Sequence, residues 1–222
     1  MSVTKTVLSW SSGKDSAWAL HVLRQDPSVE VIGLLTTLNR DADRVAMHGV
    51  RRALLERQAE AAGLPVDVVE LPYPCSNEDY EAAMTGAVDR AKAAGAEVFA
   101  FGDLFLEDIR AYREAQLAGT GLGAVFPLWG QDTRALAEAM IDAGLEAIVT
   151  CVDPKQLDPS FAGRRFDRAL LRDLPAHVDP CGENGELHTL VIAGPMLERP
   201  IACTVGEVVE RDGFVYADVV PA

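Results

Sequence analysis

Apolar and polar positions fall in blocks along this chain, short apolar runs followed by stretches with helical spacing, and their order predicts an α/β fold. The first run, Val7-Leu8 with Trp10, ends in the small polar hexapeptide Ser11-Ser12-Gly13-Lys14-Asp15-Ser16; Ala17 to Gln25 then has helical spacing with Ala17, Leu20 and Leu23 inward. A second strand is predicted over Val29 to Thr37, where Val31-Ile32-Gly33-Leu34-Leu35 is continuous, as in a parallel strand covered on both faces. Val50, Ala53, Leu54, Gln58 and Ala61 mark a helix over Val50 to Ala62 that stops at Gly63-Leu64-Pro65. Val66 to Leu71 predicts strand three, Ser76 caps a long helix ending near Ala94-Gly95, and Glu97 to Phe101 predicts strand four.

Further on, Leu104 to Ala118 predicts a helix, Ala124 to Phe126 a short strand, and Asp132 to Ala143 another helix; Glu146 to Val152 is expected as the last parallel strand. Phe166 to Arg172 is a short helical piece. The remaining runs, Leu190 to Ala193, Val205 to Arg211 and Phe214 to Val219, predict strands, with Asp212-Gly213 as a hairpin turn at a sheet edge. The expected architecture is a mainly parallel sheet with helices on both faces, formed by residues 1–152, and a small β-rich region, residues 153–222, packed on it.

A chain of 222 residues that is 49% hydrophobic is long enough to bury a sizeable core and too apolar for disorder. Thirty-four acids against 20 bases leave a net charge of -14, which argues against nucleic acid and against anionic lipid as partners. A phosphate ligand must then be held by local donors and a divalent cation. The four cysteines, Cys75, Cys151, Cys181 and Cys203, form no C-x-x-C pair, and there is neither a signal-peptide pattern nor an apolar run of membrane-spanning length, so a cytoplasmic protein with reduced thiols is expected.

Three stretches carry candidate chemistry. Ser11 to Ser16 joins a strand to a helix with small residues, three hydroxyls and Lys14, the makings of a phosphate loop on a helix N-terminus; the bland reading is a Ser/Gly helix cap. It is not a Walker A motif, because Asp15 follows Gly13-Lys14 and no glycine stands five residues before Gly13. The segment Thr36 to His48 is polar and unpatterned, a candidate ligand loop. Asp103 follows an apolar strand at the edge where open α/β sheets bind ligands, whereas Asp108 and Glu114 belong to an ion-paired solvated face. Gly119 to Gly123 reads as helix termination. Asp179 to Thr189 packs three carboxylates, His188 and Cys181 among two glycines and Asn184, more titratable groups than a turn needs.

Ser11 to Ser16 resembles the S-G-G-x-D-S signature of PP-loop ATP pyrophosphatases, of the adenine nucleotide alpha hydrolase-like fold. Together with Gly102-Asp103, Pro127-Leu128-Trp129 and Cys181-Gly182-Glu183-Asn184-Gly185-Glu186-Leu187-His188-Thr189, the chain resembles the ATP-binding family that includes diphthine–ammonia ligase. One departure is Ser12, where the signature has glycine; serine can line an anion site but is disfavoured at positive φ. The resemblance implies cleavage of ATP between its α and β phosphates, with AMP placed on a substrate carboxyl and then displaced by ammonia or an amine. It implies that Ser11, Ser12, Gly13, Lys14, Asp15 and Ser16 hold phosphate, with Asp15 meeting Mg²⁺, and that Thr36, Thr37 and His48 meet the adenosine. Gly102, Asp103, Glu107, Arg110, Asn184 and Thr189 would form the acceptor side, and Glu183, Glu186 and His188 would join Lys14 and Asp15 in catalysis. Cys181 reads as a packed thiol. The implied acceptor is a carboxyl on a small molecule or a modified protein side chain, and a homodimer is compatible with this reading. Two alternatives are a nucleotide alpha hydrolase acting on a bacterial substrate and an ATP-binding sensor on the same fold.

Overall fold

The computed structural model describes residues 3–222. A six-stranded sheet is built from β1 (Thr4–Ser9), β2 (Val29–Asn39), the two-residue β3 (Arg44–Val45), β4 (Val66–Leu71), β5 (Val98–Ala100) and β6 (Gly123–Val125). β2 pairs in parallel with β1 and β4, β1 with β5, and β5 with β6; only β3 is antiparallel, against the end of β2. The chain thus leaves β1 to one side for β2 and returns on the other side as β5. The point where the order reverses lies at the carboxyl ends of β1 and β5, where ligands of open α/β sheets bind.

Four helices cover this sheet: α1 (Lys14–Leu23), α2 (Arg52–Ala62), α3 (Asn77–Ala93) and α4 (Glu107–Leu117). Glycine signals act as expected: Gly63 adopts φ 65° after α2 and donates to Glu60 O. Ser76 Oγ caps α3 by accepting from Asp79 N at 3.1 Å. α1 begins at Lys14, earlier than its apolar spacing shows, because Gly13 takes the N-cap position with extended backbone. α4 begins later than expected, at Glu107, since residues 101–106 run without regular structure and bury Leu104.

The strand Glu146 to Val152 corrects the sequence expectation. As β7 (Glu146–Val152) it lies in a second, antiparallel sheet with β8 (Leu187–Ala193), β9 (Cys203–Arg211) and β10 (Phe214–Pro221), ordered β8-β7-β10-β9. Its last six residues are buried, and a run covered on both faces carries no mark of strand direction. α5 (Thr133–Asp142) and α6 (Arg168–Asp173) complete the element set. The β9–β10 hairpin turns at Asp212 and Gly213, both at positive φ, as its Asp-Gly pair predicts. None of the helices among the described residues is long and apolar enough to cross a membrane.

Alternation along the parallel strands divides the core. Leu8, Leu34 and Ala100 face α1, α2 and the antiparallel sheet, where they join Val149, Leu190 and Val191. Val7, Leu35 and Phe99 face α3 and α4 with Val69, Val88 and Leu117. Gln58, fully buried on α2, ties the first core to the loop after β1: it accepts from Trp10 Nε1 (3.1 Å) and donates to Ser12 O (3.0 Å) and Val191 O (2.8 Å).

At the reversal point β5 and α1 approach closely. A Cβ on Gly102 would stand 2.9 Å from the Asp15 carbonyl carbon and 3.0 Å from Ser16 N, both rigid backbone. Gly102→Ala is expected to force these elements apart and lower stability by about 2 kcal/mol, read from the urea midpoint.

Candidate functional site

The loop after β1 starts the site. Ser16 Oγ donates to Gly13 O (3.0 Å) and accepts from Ser11 N (3.3 Å), and Gly13 N donates to Ser11 Oγ (3.3 Å), so hydroxyls hold the loop wrapped round the start of α1. The first-turn N–H groups of a helix have no partner within it, which suits such an end to an anion, although that of Lys14 is taken here by Thr189. Ser12 sits at φ 70°, in the left-handed region, and its Oγ is buried without a hydrogen-bond partner. The family signature's glycine would suit that backbone; serine adopts it at a cost.

Lys14 runs inward. Its ammonium donates to Asp15 Oδ2 (2.9 Å) and to the Cys181 carbonyl, while its backbone N–H donates to Thr189 Oγ1 (3.0 Å). Burial by itself would lower its pKa, but Asp15, Cys181 and Asp179 outweigh burial and raise it, so the ammonium stays charged. Burial pushes the Asp15 carboxyl up while Lys14 opposes this, and Asp15 Oδ1 is buried with no partner. Asp103, at the end of β5, is likewise raised by burial against the pull of Arg113, and its Oδ2 has no hydrogen-bond partner. Unpartnered carboxylate oxygens are the donors a hard divalent cation takes. No group of three or more His, Cys, Asp or Glu able to hold a metal occurs among the described residues, so such an ion would complete its shell with water and phosphate oxygens.

The loop before β8 closes the site from the other sheet. Glu183 accepts from Leu104 N (2.7 Å), and burial, reinforced by the negative charges of Asp15 and Asp103, pushes its carboxyl up to about 7. His188 and His48 stand with ring centroids 4.7 Å apart. Burial holds His48 near 4, though its Nδ1 lies 3.0 Å from Thr189 O, and holds His188 well below the ordinary histidine range. Both imidazoles are neutral at pH 7, and His188 Nε2 is buried without a partner. His48 also roofs the loop: a Cβ on Gly13 would come 2.6 Å from its Cε1. Cys181 is a packed thiol, donating to Thr133 O and raised strongly by burial.

One cavity of about 790 Å³ joins these parts. Ser11, Lys14, Asp15, Ser16, Thr37, His48, Gly102, Asp103, Glu183, His188 and Thr189 all line it. Ser12 and Gly13 lie just behind the wall. The other expected residues are turned elsewhere. Thr36 is buried and donates to Trp10 O (2.6 Å), because the strand continues to Asn39 and alternation sends Thr36 away from the face of Thr37. Glu186 braces its own loop by accepting from Asp179 N (2.9 Å) and Asn184 Nδ2 (3.0 Å), and Asn184 is exposed. Glu107 is exposed in the first turn of α4, and Arg110 pairs with Glu114 and lies over the rings of Phe126 and Trp129. Arg113, one helical turn on, lines the cavity instead. It has no motif to mark it in the sequence, and only its ion pair with Asp103 and its place in the cavity wall set it apart from Arg110.

Two family models match this chain. The family model of the diphthamide synthase N-terminal domain matches residues 4–122, and that of the diphthamide synthase C-terminal domain matches residues 132–216. A diphthine–ammonia ligase of Schizosaccharomyces pombe is 36% identical over 96 residues, which cover 41% of this chain and 16% of that protein's length.

Two outcomes follow from the site's energetics. Ser12→Gly is expected to raise stability by about 1 kcal/mol by relieving the left-handed serine and its orphan hydroxyl, measured by denaturant unfolding. Glu183, ordinarily near 4.5 and held here near 7, binds an extra proton in the folded chain between those values. Folding stability is therefore expected to fall as pH rises from about 5 to 7, and Glu183→Gln to flatten that slope in thermal melts taken across the range.

Proposed function

The chain belongs to the diphthamide synthase family, and from that membership we propose that it is an ATP-dependent amide ligase that adenylylates a carboxyl substrate and passes the acyl group to ammonia. The observation that carries this reading is the convergence, in one cavity at the sheet's reversal point, of an anion-binding helix start with a charged lysine, unpartnered carboxylate oxygens and a neutral imidazole.

In this reading residues 1–152 hold the nucleotide and residues 153–222 supply Glu183, His188 and Thr189. Ser11, Ser16, Lys14 and the first amides of α1 hold the phosphates, and Thr37 and His48 line the side where the nucleoside lies. Asp15 would hold Mg²⁺, which would supply charge neutralisation at the phosphates. The acceptor carboxylate attacks the α phosphorus and pyrophosphate leaves. Ammonia then attacks the acyl carbon, AMP leaves with the bonding pair, and the amide nitrogen sheds one proton. His188, neutral with a free Nε2, is placed to take it, and Glu183 near 7 is poised to exchange it onward. Transfer of this kind asks mainly for positioning and charge neutralisation, which suits a site without a protein nucleophile. Ligation of ammonia is the activity named for the fission yeast relative; the acceptor of this chain is a carboxyl group on a small molecule or a modified protein side chain.

The test is incubation with ATP labelled at the α phosphate, Mg²⁺, ammonium and a panel of carboxylates. Acceptor-dependent AMP and pyrophosphate are expected, with Asp15→Ala lowering turnover by roughly 100-fold or more. ADP as product would overturn cleavage at the α phosphate; acceptor-independent AMP would favour a hydrolase, and binding without turnover a sensor.

A further inference from the structure

Beyond the phosphate loop the cavity continues as a limb between α3 and α4, floored by Phe99 and Phe101 and walled by Met84, Val88, Ile109 and Leu117. Thr85, Asp89, Lys92, Gln116 and Thr120 line it beside these apolar side chains, and the cavity also takes in Asp15, Asp103 and Glu183. An acceptor carboxylate arriving there meets like charges and needs a cation. Three cationic side chains line the cavity: Lys14, Lys92 and Arg113. Lys14 is engaged by Asp15 and the Cys181 carbonyl. Lys92, in the last turn of α3 at the opposite edge of the sheet, donates to Thr120 O (2.5 Å). Arg113 alone faces the junction of limb and phosphate site. Its guanidinium lies 5.2 Å over the Phe101 ring and is ion-paired with Asp103, Nε standing 3.7 Å from Oδ2, too far for a hydrogen bond, so that buried Nε makes none.

We infer that Arg113 and the α3–α4 limb form the acceptor site, with Arg113 binding a carboxylate carried on an extended apolar stem. The inference rests on the ligase reading, whose acceptor class it narrows. The physical case has three parts. A guanidinium offers paired N–H donors that match a carboxylate, and stacking on Phe101 fixes its plane before the acceptor arrives. Asp103 attracts Arg113 without capping its donors, so a monocarboxylate completes the charge balance where a second negative charge would be repelled by Asp15 and Asp103. The apolar walls then reward a stem that polar side chains cannot match.

Titration calorimetry on the whole chain, saturated with a non-cleavable α,β-methylene analogue of ATP, tests this with 4-phenylbutyrate and its uncharged amide as probes. The carboxylate is expected to bind the wild type roughly tenfold or more tightly than the amide does, and to lose about that factor in Arg113→Gln, with Arg113→Lys intermediate. Affinity for the ATP analogue should be the same in all three proteins, which also shows that the variants are folded. Equal binding of acid and amide, equal binding by Arg113→Gln, or no binding to the wild type would overturn the inference. AMP formation without Arg113-dependent carboxylate binding would leave the ligase reading standing and remove this site. Arg113-dependent binding without AMP formation would do the reverse.

Discussion

The carboxamide of Gln58 sits where β1, α2 and β8 converge, and its oxygen and both hydrogens are used, on Trp10 Nε1, Ser12 O and Val191 O. A buried amide is costly unless each of its groups is paired, so this geometry admits little slack. Two of its partners belong to the loop that follows β1 and the third to the antiparallel sheet. Val191 N also donates to Ser12 O (3.0 Å), so the loop's backbone is fastened to the second sheet twice over. Everything placed by that sheet, including Thr189 against Lys14 and His188 against His48, inherits its position from this junction.

A second constraint is electrostatic. A chain with 14 more negative than positive charges has no basic surface to draw in the polyanion that the proposed reaction requires. The solution is concentration: one buried ammonium, helix-start amides and hydroxyls on one side, and carboxylates of raised pKa on the other. The acids facing the loop are the groups whose charge burial already disfavours, which reduces their repulsion of phosphate. A clamp of similar economy holds the roof. Asp218 on β10, drawn down to about 2 chiefly by its hydrogen bond to Arg51 and also by Arg44, pins both ends of the turn that carries His48.

Much of this was legible in the residues. The β-α alternation, the glycine stops and the hairpin turn follow from local rules that the tertiary structure does not override, and the small residues of Ser11 to Ser16 mark the strand-to-helix junction where the loop lies. What failed to show was direction and facing. The buried run of β7 is apolar all along, so nothing in it distinguishes a parallel neighbour from an antiparallel one. Thr36 and Thr37 are chemically alike, and only the register of β2 decides which meets the cavity. Glu186 and Glu183 stand three apart in one loop, yet one closes that loop and the other bridges to Leu104, a choice made by backbone turns at Gly182 and Gly185. Arg110 and Arg113 both lie over aromatic rings and differ in their acidic partners, Glu114 for the first and Asp103 for the second.

The hydrogen bond from Lys14 N to Thr189 Oγ1 spans 175 positions of the chain. A contact of such range cannot form during synthesis until β8 has left the ribosome, so the start of α1 emerges long before the partner that orders it. The two motifs that bracket the site therefore mature together and late. An ordered start of α1 is in this protein a sign that β8 of the second sheet has docked on the first.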